Sequence, residues 1–97
     1  MTPQELHDAL DGVRHRLKTD FRVAALYVFG SVARGEATPA SDVDLLVEFE
    51  GRPTFATFMD LKALLEDALG VGVDLVTRPA LREQLRPQVE AEARRVA

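Results

Sequence analysis

The 97-residue sequence contains no cysteine, which removes disulfides, thiolate zinc sites, iron–sulfur ligation and cysteine nucleophiles in one step. It also lacks long apolar runs, and its opening Met1-Thr2-Pro3-Gln4-Glu5 has no signal-peptide pattern. Neither a membrane span nor secretion is expected, and a cytoplasmic location is the default. Positive charge is in deficit too. Twelve basic against sixteen acidic residues give a net charge of −4, the wrong sign for a protein that tracks nucleic acid by counterion release. No direct nucleic-acid binding is expected. The acidic excess lies wholly in residues 1–50, with nine acids and five bases, whereas residues 51–97 hold seven of each. Carboxylates concentrated in this way are candidates for a cation.

Hydrophobic residues at 46% and charged residues at 29% match an ordinary globular chain. The length allows one domain, residues 1–97, with no linker, repeat or low-complexity tract. A core this small buries only about 60 to 70% of the unfolded surface, so an oligomer or complex is expected.

Thr2, Pro3 and Glu5 form the pattern of a capping box with a first-turn proline. The apolar stripe Leu6, Ala9, Leu10, Val13 and Leu17 then predicts one helix that ends near residues 18–20, despite Gly12 beside it. Val23-Ala24-Ala25-Leu26-Tyr27-Val28-Phe29 reads as a strand buried on both faces. A short helix is allowed at residues 31–36 and a loop at 37–41, before a second strand from Asp42 to Glu48 or Phe49. In that strand Val43, Leu45, Val47 and Phe49 point one way, and Asp42, Asp44, Leu46 and Glu48 the other. A helical stripe from Phe55 to Leu69 closes at Gly70, and residues 71–77 form a third strand in which Asp74 interrupts an apolar run. The tail from Leu81 reads as two short helical pieces separated by Pro87, the last with Val89, Ala93 and Val96 on one side. The fold class is therefore α/β (α+β): a small mixed β-sheet with helices over one face and the aspartates on the other.

The chemistry sits in Gly30-Ser31-Val32-Ala33-Arg34-Gly35, followed, with ten residues between Ser31 and Asp42, by Asp42-Val43-Asp44. Gly30 lets the backbone leave a strand and lets an anion approach, and Ser31 starts a helical turn whose amides and hydroxyl favour a phosphate. The next strand returns two carboxylates beside that turn. Unneutralised carboxylates a few ångströms apart repel by about 4 kcal/mol per pair at an effective dielectric near 20, so the cluster calls for a cation. Mg²⁺ prefers such oxygens together with substrate phosphates, and a pair of ions can clamp an in-line displacement. Asp74, if it faces the other two, completes the set: it can ligate the second ion and help deprotonate an acceptor hydroxyl, a general-base role that needs hydrogen-bond reach. A Walker-type phosphate loop is excluded, because Glu36-Ala37 stands where Lys-Ser/Thr is required.

Gly30-Ser31, Asp42-Val43-Asp44 and the third acid Asp74 together resemble the nucleotidyltransferase superfamily that includes DNA polymerase β, and most of all its minimal nucleotidyltransferase (MNT) domains. The likeness covers nearly the whole chain. It implies a polymerase β-like core, a triphosphate held by Gly30 and Ser31, and two Mg²⁺ bound by Asp42, Asp44 and Asp74. Arg34 lies in a stretch that also resembles the MNT motif and is a candidate nucleotide contact. Resemblance to the antitoxins of HEPN/MNT pairs implies transfer of AMP from ATP to a tyrosine of a HEPN ribonuclease toxin, within a hetero-oligomer with that toxin. Two alternatives stand beside it: a non-catalytic antitoxin that acts by occlusion, and a nucleotidyltransferase that acts on a small molecule or an RNA end.

Other polar and aromatic residues have plainer readings. His7 and His15 lie eight apart, not at ligand spacing, and read as surface residues. Tyr27, Phe55 and Phe58 read as core, and Arg78, Arg82 and Arg86 as a solvated face.

Overall fold

The first helix is capped as its sequence predicts: the Glu5 N–H donates to the Thr2 hydroxyl at 3.1 Å, and the Thr2 N–H donates to the Glu5 carboxylate at 3.3 Å. The computed structural model describes residues 1–97. Helix α1 (Pro3–Ala9) does not run on to Leu17 as the stripe implies. A 3₁₀ turn (Asp11–Val13) intervenes before α2 (Arg14–Thr19). Gly12 weakens the helix there, and Arg14 stabilises the break. Its guanidinium donates to Asp11 Oδ1 at 2.8 Å, to the His7 carbonyl at 2.7 Å and to the Val96 carbonyl at 2.6 Å. The stripe still works as a stripe, with Leu6, Leu10 and Leu17 all buried.

Strands β1 (Val23–Phe29), β2 (Val43–Phe49), β3 (Val73–Thr77) and β4 (Arg94–Arg95) form one mixed sheet in the order β3-β2-β1-β4. β2 pairs antiparallel with β1 and parallel with β3, and β4 pairs antiparallel with the free edge of β1. Strand β1 is not buried throughout: Ala24 is exposed, and Tyr27 and Phe29 are half-buried.

Between the strands lie α3 (Gly30–Arg34) and α4 (Phe55–Leu69). Thr54 caps α4 by accepting from the Thr57 N–H at 3.0 Å, and Gly70 ends it in the left-handed conformation. Leu61, Leu65 and Leu69 of α4 join Leu6, Leu10 and Leu17 against Leu26, Val28, Val43, Leu45 and Val47, in one core of 16 buried residues. Phe58 packs at its margin, but Phe55, expected in the core, is 79% exposed. It is the first residue of α4, where the stripe has run past the core.

The C-terminal segment departs furthest from expectation. A 3₁₀ turn (Glu83–Leu85) leads into α5 (Arg86–Glu92), with Pro87 inside the first turn of α5 and not between two helices. The chain then turns extended at Ala93 and adds β4. Val89 and Val96 consequently part company. Val89 meets Leu46 and Leu81 on the aspartate face, and Val96 enters the main core. Backbone pairing decides this, because the Val96 N–H donates to the Leu26 carbonyl at 2.8 Å, and Leu26 N–H to the Ala97 carbonyl at 3.1 Å. No helix is long and apolar enough to cross a membrane.

Candidate active site

The alternation of β2 fixes which side chains meet. Val43, Leu45 and Val47 enter the core, so Asp42 and Asp44 project from the opposite face. Parallel pairing puts Asp44 directly beside Asp74, and antiparallel pairing puts it beside Phe29, the last residue of β1. The next residue, Gly30, opens α3. The glycine–serine turn, Asp42 just ahead of β2, Asp44 and Asp74 are thereby gathered at one end of one sheet face.

Two glycines make room for the carboxylates. Gly30 has φ +69°, and a Cβ there would overlap Asp44 Oδ2 and stand 3.0 Å from its Cγ. Gly72, just ahead of β3, plays the same part for Asp42, since a Cβ would lie 2.5 Å from Asp42 Oδ1. The Gly72 carbonyl also accepts from the Val43 N–H at 2.9 Å, which ties the starts of β2 and β3 together. Gly72 was not singled out by sequence reasoning, although a glycine two residues before the acid of β3 was a usable signal.

Asp42 and Asp74 are exposed and Asp44 is half-buried. Burial raises the Asp44 carboxyl above its ordinary value, the charges of Asp74 and Asp42 raise it further, and Arg34 opposes them. The three carboxylates thus share one field, but no three acidic or histidine side chains close around a point that a cation could occupy. Asp44 lies against Gly30 and Asp42 against Gly72. The donor chemistry nevertheless suits Mg²⁺: hard carboxylate oxygens only, cradled by two glycines, beside a turn suited to phosphate.

The phosphate-binding candidates are partly engaged already. Ser31 is half-buried at the turn. The Gly30 N–H donates to Glu92 Oε1 at 2.9 Å. Arg34 reaches Glu36 through Nε at 3.3 Å and Glu92 through Nη1 at 3.2 and 3.3 Å. Those bonds, Glu36 first and Glu92 second, raise the guanidinium further above its ordinary value. Sequence reasoning missed Glu92, which carries no local signal.

Elsewhere, His7 and His15 are exposed, in keeping with their surface reading. Arg78 is not part of a solvated stripe. It donates to Glu48 at 2.6 Å and Glu90 at 3.1 Å and lies 5.6 Å from the centre of the Tyr27 ring, and Arg86 caps its carbonyl at 3.0 Å. A cavity of about 470 Å³ lies beside this network, at the far ends of β2 and β3. The aspartates line no cavity and stand instead on an open shelf.

Known proteins resemble this chain in sequence and fold. Residues 10–97 match the model of the nucleotidyltransferase domain. The protein adenylyltransferase MntA of Thermococcus cleftensis is 39% identical over 92 residues, which is 95% of this chain and 93% of the relative. A solved structure provisionally described as a minimal nucleotidyltransferase superposes with a TM-score of 0.80 at 42% identity, over 97% of this chain and 95% of that one. The MNT antitoxin solved in complex with the tri-AMPylated HEPN toxin of Shewanella oneidensis shares the fold, with a TM-score of 0.69 at 20% identity, over 99% of this chain and 72% of that one. A glycine–serine turn that delivers a strand's end to paired aspartates, in a chain matched over nearly its whole length, places this protein in the nucleotidyltransferase domain family, beside the minimal nucleotidyltransferases.

Proposed function

We propose that residues 1–97 form a single minimal nucleotidyltransferase domain that moves AMP from ATP to a tyrosine hydroxyl of a HEPN ribonuclease toxin in the cytoplasm, and so neutralises that toxin. The observation that carries the reading is the register pairing of Asp44 with Asp74, two residues from Asp42 and against Gly30. The Thermococcus relative, a protein adenylyltransferase, and the tri-AMPylated HEPN toxin in complex with the Shewanella antitoxin support this reading of substrate and partner. The open shelf suits an acceptor presented on another protein, and the acidic balance disfavours an RNA end.

In this reading Ser31 and the Gly30 turn hold the β- and γ-phosphates, and Arg34 adds a cationic contact. Asp42, Asp44 and Asp74 would hold two Mg²⁺, which when bound supply charge neutralisation for the triphosphate and acidify the acceptor hydroxyl. Asp74 lies on the edge strand and is exposed, so it is the carboxylate that an incoming hydroxyl meets and the one that takes its proton. The tyrosine oxygen then forms a bond to the α-phosphorus as the bond to the bridging oxygen breaks, and pyrophosphate leaves. The chain contributes position and charge, with no covalent intermediate of its own.

The test is to incubate the protein with its neighbour-encoded partner, ATP and Mg²⁺, and to weigh the partner. A gain of one or more AMP groups, located to tyrosine by fragmentation, is expected. An unmodified partner that is nonetheless inhibited would replace transfer with occlusion.

A further inference from the structure

We infer that Glu92 is a positioning residue, which holds the Gly30 turn and the Arg34 guanidinium in the arrangement that receives a nucleoside triphosphate. The inference rests on the nucleotidyltransferase reading and adds to it a residue from the far end of the chain. Glu92 Oε1 accepts from the Gly30 N–H at 2.9 Å and from Arg34 Nη1 at 3.2 Å, and Oε2 from the same Nη1 at 3.3 Å. One carboxylate therefore bridges both ends of α3.

The turn needs such a tie. Gly30 is left-handed and has no side chain with which to fix itself, and its N–H, in the first turn of a helix, has no carbonyl four residues back to receive it. Arg34 is long and half in solvent, and a free guanidinium must lose rotamer freedom when a phosphate binds. Glu92 removes part of that loss beforehand. Its own side chain is only 17% exposed against 40% for Arg34, so water screens the pair less than it screens a surface ion pair.

Glu92 is itself held from both sides. It ends α5, whose Val89 is buried against Leu46, and two residues later Arg94 and Arg95 pair with Val28 and Tyr27 of the strand that runs into Gly30. The same strand therefore carries the turn at its end and anchors, through β4, the carboxylate that braces it. The opposite role, a carboxylate that plugs the phosphate position, fits less well. Glu92 takes one nitrogen of Arg34 and the Gly30 N–H, and neither Arg34 Nη2 nor the Ser31 hydroxyl bonds within the chain.

Glu92→Gln keeps the shape and one acceptor oxygen but removes the charge. ATP binding in the presence of Mg²⁺, measured by calorimetry on the full chain, is expected to weaken about tenfold in this variant. In an Arg34→Gln background the same change is expected to cost less than about twofold, since Gln keeps an acceptor for the Gly30 N–H and the guanidinium that the charge held is gone. The Gly30 amide resonance should move in Glu92→Gln without ATP, and thermal melting confirms that both variants fold. Unchanged or tighter ATP binding by Glu92→Gln, or an equal penalty in both backgrounds, overturns the inference and leaves the family reading standing. Failure of the wild-type protein to bind ATP overturns the nucleotide reading, and the role of Glu92 with it.

Discussion

The two faces of the sheet are unequal in a way that divides stability from chemistry. One carries α1, α2 and α4 over most of a core of 16 buried residues with no buried polar side chain. The other has a three-residue cluster of Leu46, Leu81 and Val89 under α5, flanked at one end by Asp42, Asp44 and Asp74 and at the other by the Glu48–Arg78 pair. Strand β2 serves both, because its alternation sends Val43, Leu45 and Val47 one way and its acids the other. A fold this small can place three like charges side by side because the opposite face, and not the site, supplies most of the apolar burial.

That division can be broken from either side. Converting both Asp42 and Asp44 to asparagine is expected to lower AMP transfer by about a thousandfold or more, while far-ultraviolet circular dichroism and melting show an intact fold. Retained transfer in the double variant would remove the site from this end of the sheet. Leu65→Ala, on the dry face, should do the reverse. Leu65 is fully buried in the core, so denaturant melts should show a loss of about 2 to 5 kcal/mol, and transfer per folded molecule should be unchanged well below the midpoint. A loss of transfer without a loss of stability would show that the two faces are not separable.

The glycines test whether the site depends on close approach. Gly30→Ala puts a Cβ at φ +69° into Asp44, so it should both lower the melting midpoint and cut transfer. Gly72→Ala has no such backbone strain and meets only the mobile end of Asp42, so a smaller loss of transfer, about tenfold, is expected with little change in melting. Equal effects at the two positions would mean that the seating of each carboxylate, and not the left-handed backbone of Gly30, is what glycine provides.

How far the sequence foretold this depends on how local each signal was. The Thr2–Glu5 box, the Gly70 stop and the in–out alternation of β2 are written within a few residues of where they act, and each appears in the structure. So are Gly30-Ser31 and Asp42-Val43-Asp44, whose meeting point follows once β2 is known to return beside β1. The largest misses are non-local. Arg94 and Arg95 continue a helical pattern, and only the free edge of β1, about seventy residues earlier in the chain, makes them a strand. Glu92 finds Arg34 and Gly30 across 58 and 62 residues, Arg14 finds Val96 across 82, and Arg78 finds Glu48 across 30. In each case a charged group that looks solvated in one dimension has a partner fixed only by topology.

The smallest expected effect concerns the cost of the charged shelf. Burial and the neighbouring acids hold the folded Asp44 carboxyl above its ordinary value, so the folded protein binds that proton more tightly than the unfolded chain does. Stability linked to this group therefore falls as pH rises from the ordinary carboxylate value through the raised one, and the full penalty persists at neutral pH. Asp44→Asn removes the penalty and is expected to raise the melting midpoint at pH 7 in the absence of divalent ions. The gain should be under about 1 kcal/mol, because the half-exposed site is screened by water and salt. It should shrink as pH drops below the ordinary carboxylate value, where the wild-type group is neutral as well. Added Mg²⁺ should raise the midpoint of the wild type and leave the Asp42→Asn, Asp44→Asn double variant unmoved. A wild type that is indifferent to Mg²⁺, together with a gain from Asp44→Asn over wild type no larger at pH 7 than at pH 3, would mean that the three carboxylates do not share one field. The contrast between a face that stabilises the fold and a face that strains it would then lose its electrostatic basis.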